Sequence, residues 1–302
     1  MRVKVGDVRL WFDVDGAEYV VDGPRMRRRP TVLALHGGPG ADSSVPKAAY
    51  GFLAHTAQVV YLDQRGNGRS DRGDPATWTL DTWADDVVAF CQAVGLERPI
   101  VLGGSFGGFV AMRYAARHLD HPAALCLAAT TARVDHAASV EAFRRLGGDA
   151  VAELVRRDLE HPTSETFEQW LRDAWPLTSR RPGAVEAARA LAARAIQHQD
   201  VNLHFAHGEF RTLDLRPDLA RIRCPVLVLG GQDDPLSPPA QVEELAAHLD
   251  PALVRLHVLP DAGHMLHRDQ PELVERLLTG FVNEVWTSEQ GEVGRAAGRP
   301  GR

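Results

Sequence analysis

The stretch that most constrains this chain is Ile100-Val101-Leu102-Gly103-Gly104-Ser105-Phe106-Gly107-Gly108-Phe109-Val110. An apolar run suited to a buried strand breaks into glycines around one serine. It then continues through Ala111, Met112, Tyr114 and Ala115 with a helical spacing. A serine on so tight a strand-to-helix turn must take a strained backbone conformation, and glycines two residues to either side let strand and helix approach. The turn would present a hydroxyl at the rim of a sheet. Such a hydroxyl needs a base backed by an acid, and N–H donors for an oxyanion. A glycine-rich turn with an incidental serine is the plain alternative, and it makes no such demands.

The remaining chain supplies a frame for that turn. Residues 3–10 and 19–21, split by Asp15-Gly16, read as an opening hairpin with alternating apolar positions. The runs Thr31-Val32-Leu33-Ala34-Leu35 and Gln58-Val59-Val60-Tyr61-Leu62 are nearly all apolar, as strands buried on both faces are. Residues 80–94 fit an amphipathic helix, 124–129 another strand, and 225–229 and 254–259 two more. Strands alternating with helices imply βαβ units and a mostly parallel sheet. Between 133 and 216 strand-like runs vanish, and helical stretches appear at 139–146, 150–159, 166–175 and 184–199. This gives a first core segment at 1–132, a helical insertion at 133–216 over the strand ends, and a second core segment at 217–287. The insertion gathers Phe167, Trp170, Trp175, Phe205 and Phe210. The polar, glycine-containing tail at 288–302 is expected to be disordered.

Composition excludes several classes. With 302 residues and a formal net charge of -6, the chain has no general basic character for nucleic acid. Its one basic cluster, Arg25-Met26-Arg27-Arg28-Arg29, lies between Pro24 and Pro30 and reads as a solvated loop. The 3 cysteines sit in apolar segments, and their odd number argues against a disulfide framework. Met1 leads straight into Arg2-Val3-Lys4-Val5, with no apolar signal core and no run long enough to span a bilayer. A cytoplasmic protein with no nucleic-acid or membrane partner is the expectation.

The serine's requirements can be placed. For a strand-turn-helix serine of this kind the chain order is serine, acid, histidine, with the last two on loops after late strands. The strand ending at Leu229 runs into Gly230-Gly231-Gln232-Asp233-Asp234-Pro235, and the strand ending at Leu259 into Pro260-Asp261-Ala262-Gly263-His264. His264 is therefore the candidate base. Asp234 is preferred over Asp233 as its acid because it follows Gly231 by three residues; Asp233 and Asp261 read as turn residues. His267 reads as a surface residue, and His36 as a brace for the loop it opens. Oxyanion donors fall to the Phe106 N–H at the helix start and to the glycine loop Gly37-Gly38-Pro39-Gly40, at Gly38.

In the order His36-Gly37-Gly38-Pro39-Gly40, Asp63-Gln64-Arg65-Gly66-x-Gly68-x-Ser70, Gly103-Gly104-Ser105-Phe106-Gly107-Gly108, Gly231-x-x-Asp234 and Ala262-Gly263-His264, the chain resembles the proline iminopeptidase-like branch of the α/β-hydrolases. The resemblance implies an α/β-hydrolase fold with a helical cap, metal-free and cofactor-free catalysis, and release of an N-terminal residue, often proline, from small peptides or amides. It also implies carboxylates that hold the substrate's amine. Gly208-Glu209-Phe210 matches the cap motif, so Glu209 is the candidate amine ligand. The second expected acid is missing, because Pro235 follows Asp234; Asp233 or Glu160 is the alternative. An esterase or lactonase on a small apolar acyl substrate is the alternative reading, and a noncatalytic small-ligand receptor a remoter one.

Overall fold

The structure is a computed structural model and describes residues 1–297, with side chains through Gln290. β1 (Arg2–Val5) and β2 (Val8–Asp15) form an antiparallel hairpin turning at Gly6. The hairpin expected from 3–10 to 19–21 is therefore displaced. Gly6 has a φ of +55° and open space around it, which favours the turn there. β3 (Tyr19–Asp22) and β4 (Arg25–Arg28) pair instead in a sheet of their own. The basic cluster is thus mostly a strand, not a loop: Gly23-Pro24 closes the turn and Val21 lies opposite Met26.

β5 (Thr31–Leu35) is followed by α1 (Ser44–Tyr50), β6 (Gln58–Asp63), α2 (Leu80–Val94), β7 (Ile100–Gly104), α3 (Phe106–Arg117) and β8 (Ala124–Ala128). The chain then runs through helices alone: α4 (His136–Glu160), α5 (Ser164–Asp173), α6 (Ala184–Ala192), α7 (Gln199–His207) and α8 (Arg216–Leu219). Gly148, with a φ of 80°, breaks α4 in the middle. β9 (Val226–Gly231), α9 (Pro239–Ala247), β10 (Val254–Leu259), α10 (Leu266–Asp269) and α11 (Pro271–Ala297) complete the described chain. The tail expected to be disordered from 288 continues α11 as far as Ala297; no proline interrupts it, and Glu289 pairs with Arg98 at 3.0 Å. Residues 298–302 lie outside the described residues.

The main sheet has eight strands in the order β1-β2-β6-β5-β7-β8-β9-β10, parallel from β6 through β10. Strand periodicity splits the core in two. Leu33, Leu35, Val101, Leu125, Leu127 and Val228 pack against Val87, Phe90, Val110 and Tyr114 of α2 and α3. Val32, Ala34, Leu102, Cys126 and Leu229 pack against Leu278, Phe281 and Val282 of α11. The chain reverses direction across the sheet between β5 and β7, which is the switch point where open α/β sheets bind ligands. Among the described residues, no helix is long and apolar enough to cross a membrane.

Candidate active site

Ser105 occupies the turn from β7 into α3 with φ 51° and ψ -119°, a conformation rare for a non-glycine residue and costing about 1–3 kcal/mol. Its surroundings over-determine it. Its N–H donates to Ala128 O at 3.0 Å, and its carbonyl accepts from Gly108 N–H at 2.9 Å and from Thr130 Oγ1 at 2.9 Å. The flanking glycines are there for steric reasons. A Cβ on Gly103 would stand 2.3 Å from Gly107 O, and one on Gly107 would stand 2.4 Å from Leu35 O. Both obstacles are backbone, so neither position admits a side chain without a shift of the sheet or the helix.

The parallel strands deliver the other two residues to the same edge. Asp234, on the loop after β9, is buried to 2 % exposure. Its Oδ1 accepts from the Leu236 and Ser237 N–H groups at 2.8 and 3.0 Å, and its Oδ2 meets His264 Nδ1 at 2.8 Å. A carboxylate only accepts, so Nδ1 carries the proton and Nε2 is left with its lone pair. Asp233 is half exposed and faces Arg180 at 3.3 Å. The geometry therefore brings together Asp234 and His264, and leaves Asp233 outside. The Ser105 hydroxyl makes no hydrogen bond to a protein group among the described residues. A loose serine–base contact is usual before substrate arrives.

The glycine loop lies against the elbow: a Cβ on Gly37 would stand 3.5 Å from Ser105 Cβ. The amide N–H groups of Gly38 and Phe106 are not taken up by backbone acceptors among the described residues. His36 is fully buried; its Nδ1–H donates to Gly37 O at 2.8 Å, and its Nε2 accepts from Gln64 N–H at 3.2 Å. Burial holds its pKa below the ordinary value, so it is a neutral brace. Asp63 secures the neighbouring loop by accepting from Ser43 N–H and Arg69 N–H, both at 2.7 Å. The cysteines offer no rival nucleophile. All are buried and unpaired, and burial pushes the Cys91 and Cys224 thiols up to about 12 and raises that of Cys126 as well.

Glu209 is not brought to the serine by any hydrogen bond. Its Oε2 accepts from Leu80 N–H at 2.7 Å, at the start of α2, where an orphan helix donor needs a partner. Phe205 and Phe210, expected over the site, instead join the main core: Phe205 stacks edge-on against Phe106 at 5.1 Å and against Trp83 at 6.0 Å. Glu160 is spent on Arg156. His267 is not a solvated surface residue. It packs edge-on to Tyr50 at 6.0 Å, and burial, helped by Arg268 and His264, lowers its pKa to about 4. The insertion also grips the glycine loop: His198 N–H donates to Gly40 O at 2.7 Å and Ile196 N–H to Asp42 Oδ2 at 3.0 Å. These contacts, and the buried Asp269 beside His264, were not legible in the sequence, where they are single residues with no spacing to mark them.

A family model described as alpha/beta hydrolase fold matches residues 30–271. The chain is 27% identical to a proline iminopeptidase, PfmaB, of Pestalotiopsis fici over 285 residues, covering 91% of this chain and 99% of that one. Among solved structures it resembles a thermophilic esterase from Thermogutta terrifontis, with TM-score 0.70, 28% identity, and coverage of 94% of this chain and 98% of that one. It also resembles a proline iminopeptidase-related protein from Thermus thermophilus, with TM-score 0.72, 28% identity, and coverage of 94% and 96%.

Proposed function

On the premise that the chain belongs to the alpha/beta hydrolase fold family, we propose that it is a serine hydrolase in which Ser105, His264 and Asp234 act through an acyl-enzyme. The observation that carries this is the strained Ser105 at the sheet edge to which parallel β9 and β10 also deliver a carboxylate-held histidine. His264 Nε2 takes the Ser105 proton as Oγ attacks a carbonyl carbon. The Gly38 and Phe106 N–H groups receive the developing oxyanion. As the tetrahedral species collapses, His264 passes the proton to the leaving group. Water then adds to the acyl-enzyme by the same route and releases the acid.

For the substrate, the surroundings favour a small ester or lactone over a peptide with a free N-terminus. A protonated amine in a closed site needs carboxylate partners, because an unpaired buried charge is costly. Glu209 is already held by the α2 N-terminus, Pro235 follows Asp234, Asp233 faces Arg180, and Glu160 faces Arg156. The second reading, release of N-terminal proline, is supported by the resemblance to PfmaB and by Glu209 Oε1, which takes no hydrogen bond from a protein group among the described residues. The deciding experiment compares a prolyl arylamide, its N-acetylated form and a short-chain aryl ester. Ester cleavage without prolyl release supports the first reading. Cleavage confined to the free-amine compound overturns it in favour of the second.

A further inference from the structure

We propose that Asp269 is a positioning residue for the active site: it fastens the loop carrying His264 to the insertion, so that seating the insertion places the base. The proposal rests on the serine-hydrolase reading above.

Asp269 ends α10 and is buried to 2 % exposure, and no Lys, Arg or His among the described residues pairs with it. A buried carboxylate without a cation persists only if its oxygens are fully hydrogen-bonded. Here they are, and the donors divide between two parts of the molecule. Oδ2 accepts from Gly263 N–H at 2.7 Å, the residue immediately before His264. Oδ1 accepts from the Ser179 hydroxyl, and from Arg180 N–H at 3.1 Å and Arg181 N–H at 3.3 Å, all in the insertion. One side chain therefore links the histidine loop to segment 179–181.

The neighbouring contacts tighten the same joint on both sides of His264. Met265 N–H donates to Thr178 O at 3.3 Å, and a Cβ on Gly263 would stand 2.4 Å from that same oxygen. Glycine at 263 is what allows the two backbones to touch. Arg180, next in the segment, reaches Asp233, the neighbour of Asp234. Residues 178–181 thus touch the loops of both the acid and the base. With its neighbours at 263 and 265 fixed to the insertion, His264 cannot swing without unseating it.

Asparagine at 269 would keep the shape but turn one acceptor into an N–H₂ donor facing N–H groups, breaking one side of the joint. The test uses Asp269→Asn and, independently, Ser179→Ala, which removes only the insertion's hydroxyl. Steady-state hydrolysis of a short-chain aryl ester is measured on the full chain, along with the rate of Ser105 modification by a fluorophosphonate. The expected result for Asp269→Asn is a kcat about 10- to 100-fold lower with KM changed less than about threefold, and a matching fall in modification rate, since small misplacements of reacting groups cost on this order. Ser179→Ala should show the same split with a smaller fall. Wild-type kcat in both variants, or a rise in KM alone, overturns the proposal. If Asp269→Asn does not fold, unchanged kcat in Ser179→Ala overturns it. A Ser105→Ala control separates the two readings: if that control still turns over, the serine assignment has failed; if it is inert while Asp269→Asn is fully active, only this proposal has.

Discussion

At the scale of the residue, the proposed chemistry turns on one backbone conformation and one hydrogen bond. Ser105 is held at φ 51° by donors and acceptors from β8 and α3, and Asp234 presents its second oxygen to His264 at 2.8 Å. Gly103→Ala is expected to lose about 2 kcal/mol or more of stability, because its Cβ would press on Gly107 O at 2.3 Å; a melting curve checks this. The two adjacent acids should behave very differently. Asp234→Asn should lower kcat about 10³- to 10⁴-fold by misplacing the imidazole proton, whereas Asp233→Asn, which loses only an exposed ion pair with Arg180, should change it less than about threefold. Equal losses in the two variants would reassign the acid. Much at this scale was readable in the sequence, because glycine spacing and chain order are local signals. Asp269, His267 and the bond from Glu209 to Leu80 were not. Each matters through a partner far along the chain, and a lone acid or histidine carries no mark of what will fold against it.

At the scale of elements, near-continuous apolar runs and a 3.6-residue stripe located β5 to β8 and α2 with little error, since those elements bury what the sequence shows as apolar. The errors have physical causes. β3 and β4 expose Tyr19, Val21 and Met26, so burial marks neither β4 nor the partner of β3. The stretch expected as one helix over 184–199 is α6 alone, and α7 begins at Gln199 after His198 has bonded Gly40. Tertiary contact, not propensity, sets that break. Glu209 is likewise engaged by an element, accepting from the Leu80 N–H at the start of α2. Glu209→Ala should destabilise the protein by about 1 kcal/mol, as loss of a helix-terminal acceptor does. Glu209→Gln should retain most of that stability and leave ester hydrolysis unchanged. Thermal melts and ester kinetics on the pair check both. A large rise in KM for a prolyl arylamide in Glu209→Gln would instead return this side chain to amine binding.

At the scale of the whole molecule, the insertion is not a loosely hinged lid. It shares the main core through Val201 and Phe205, bonds the glycine loop through His198 and Ile196, accepts from Met265 N–H through Thr178 O, and bonds Asp269 through Ser179. Stability of this closed arrangement should depend on pH. Burial is the largest cause holding His36, His121, His136 and His267 below the ordinary histidine value of 6.5, with His267 lowered to about 4. The native state therefore binds fewer protons than the unfolded chain once pH drops below 6.5. Stability should be fully present above that pH and fall as pH decreases toward 4, and His267→Gln should flatten part of the slope. Melting temperatures of the two proteins across that range test it, and parallel slopes would contradict the burial of His267. The most direct test of the central claim is mass spectrometry of the intact protein and its peptides after reaction with a fluorophosphonate. One adduct per chain on the peptide containing Ser105, absent in Ser105→Ala together with all ester and amide hydrolysis, is the result expected. An adduct elsewhere, or undiminished hydrolysis by purified Ser105→Ala, would contradict it.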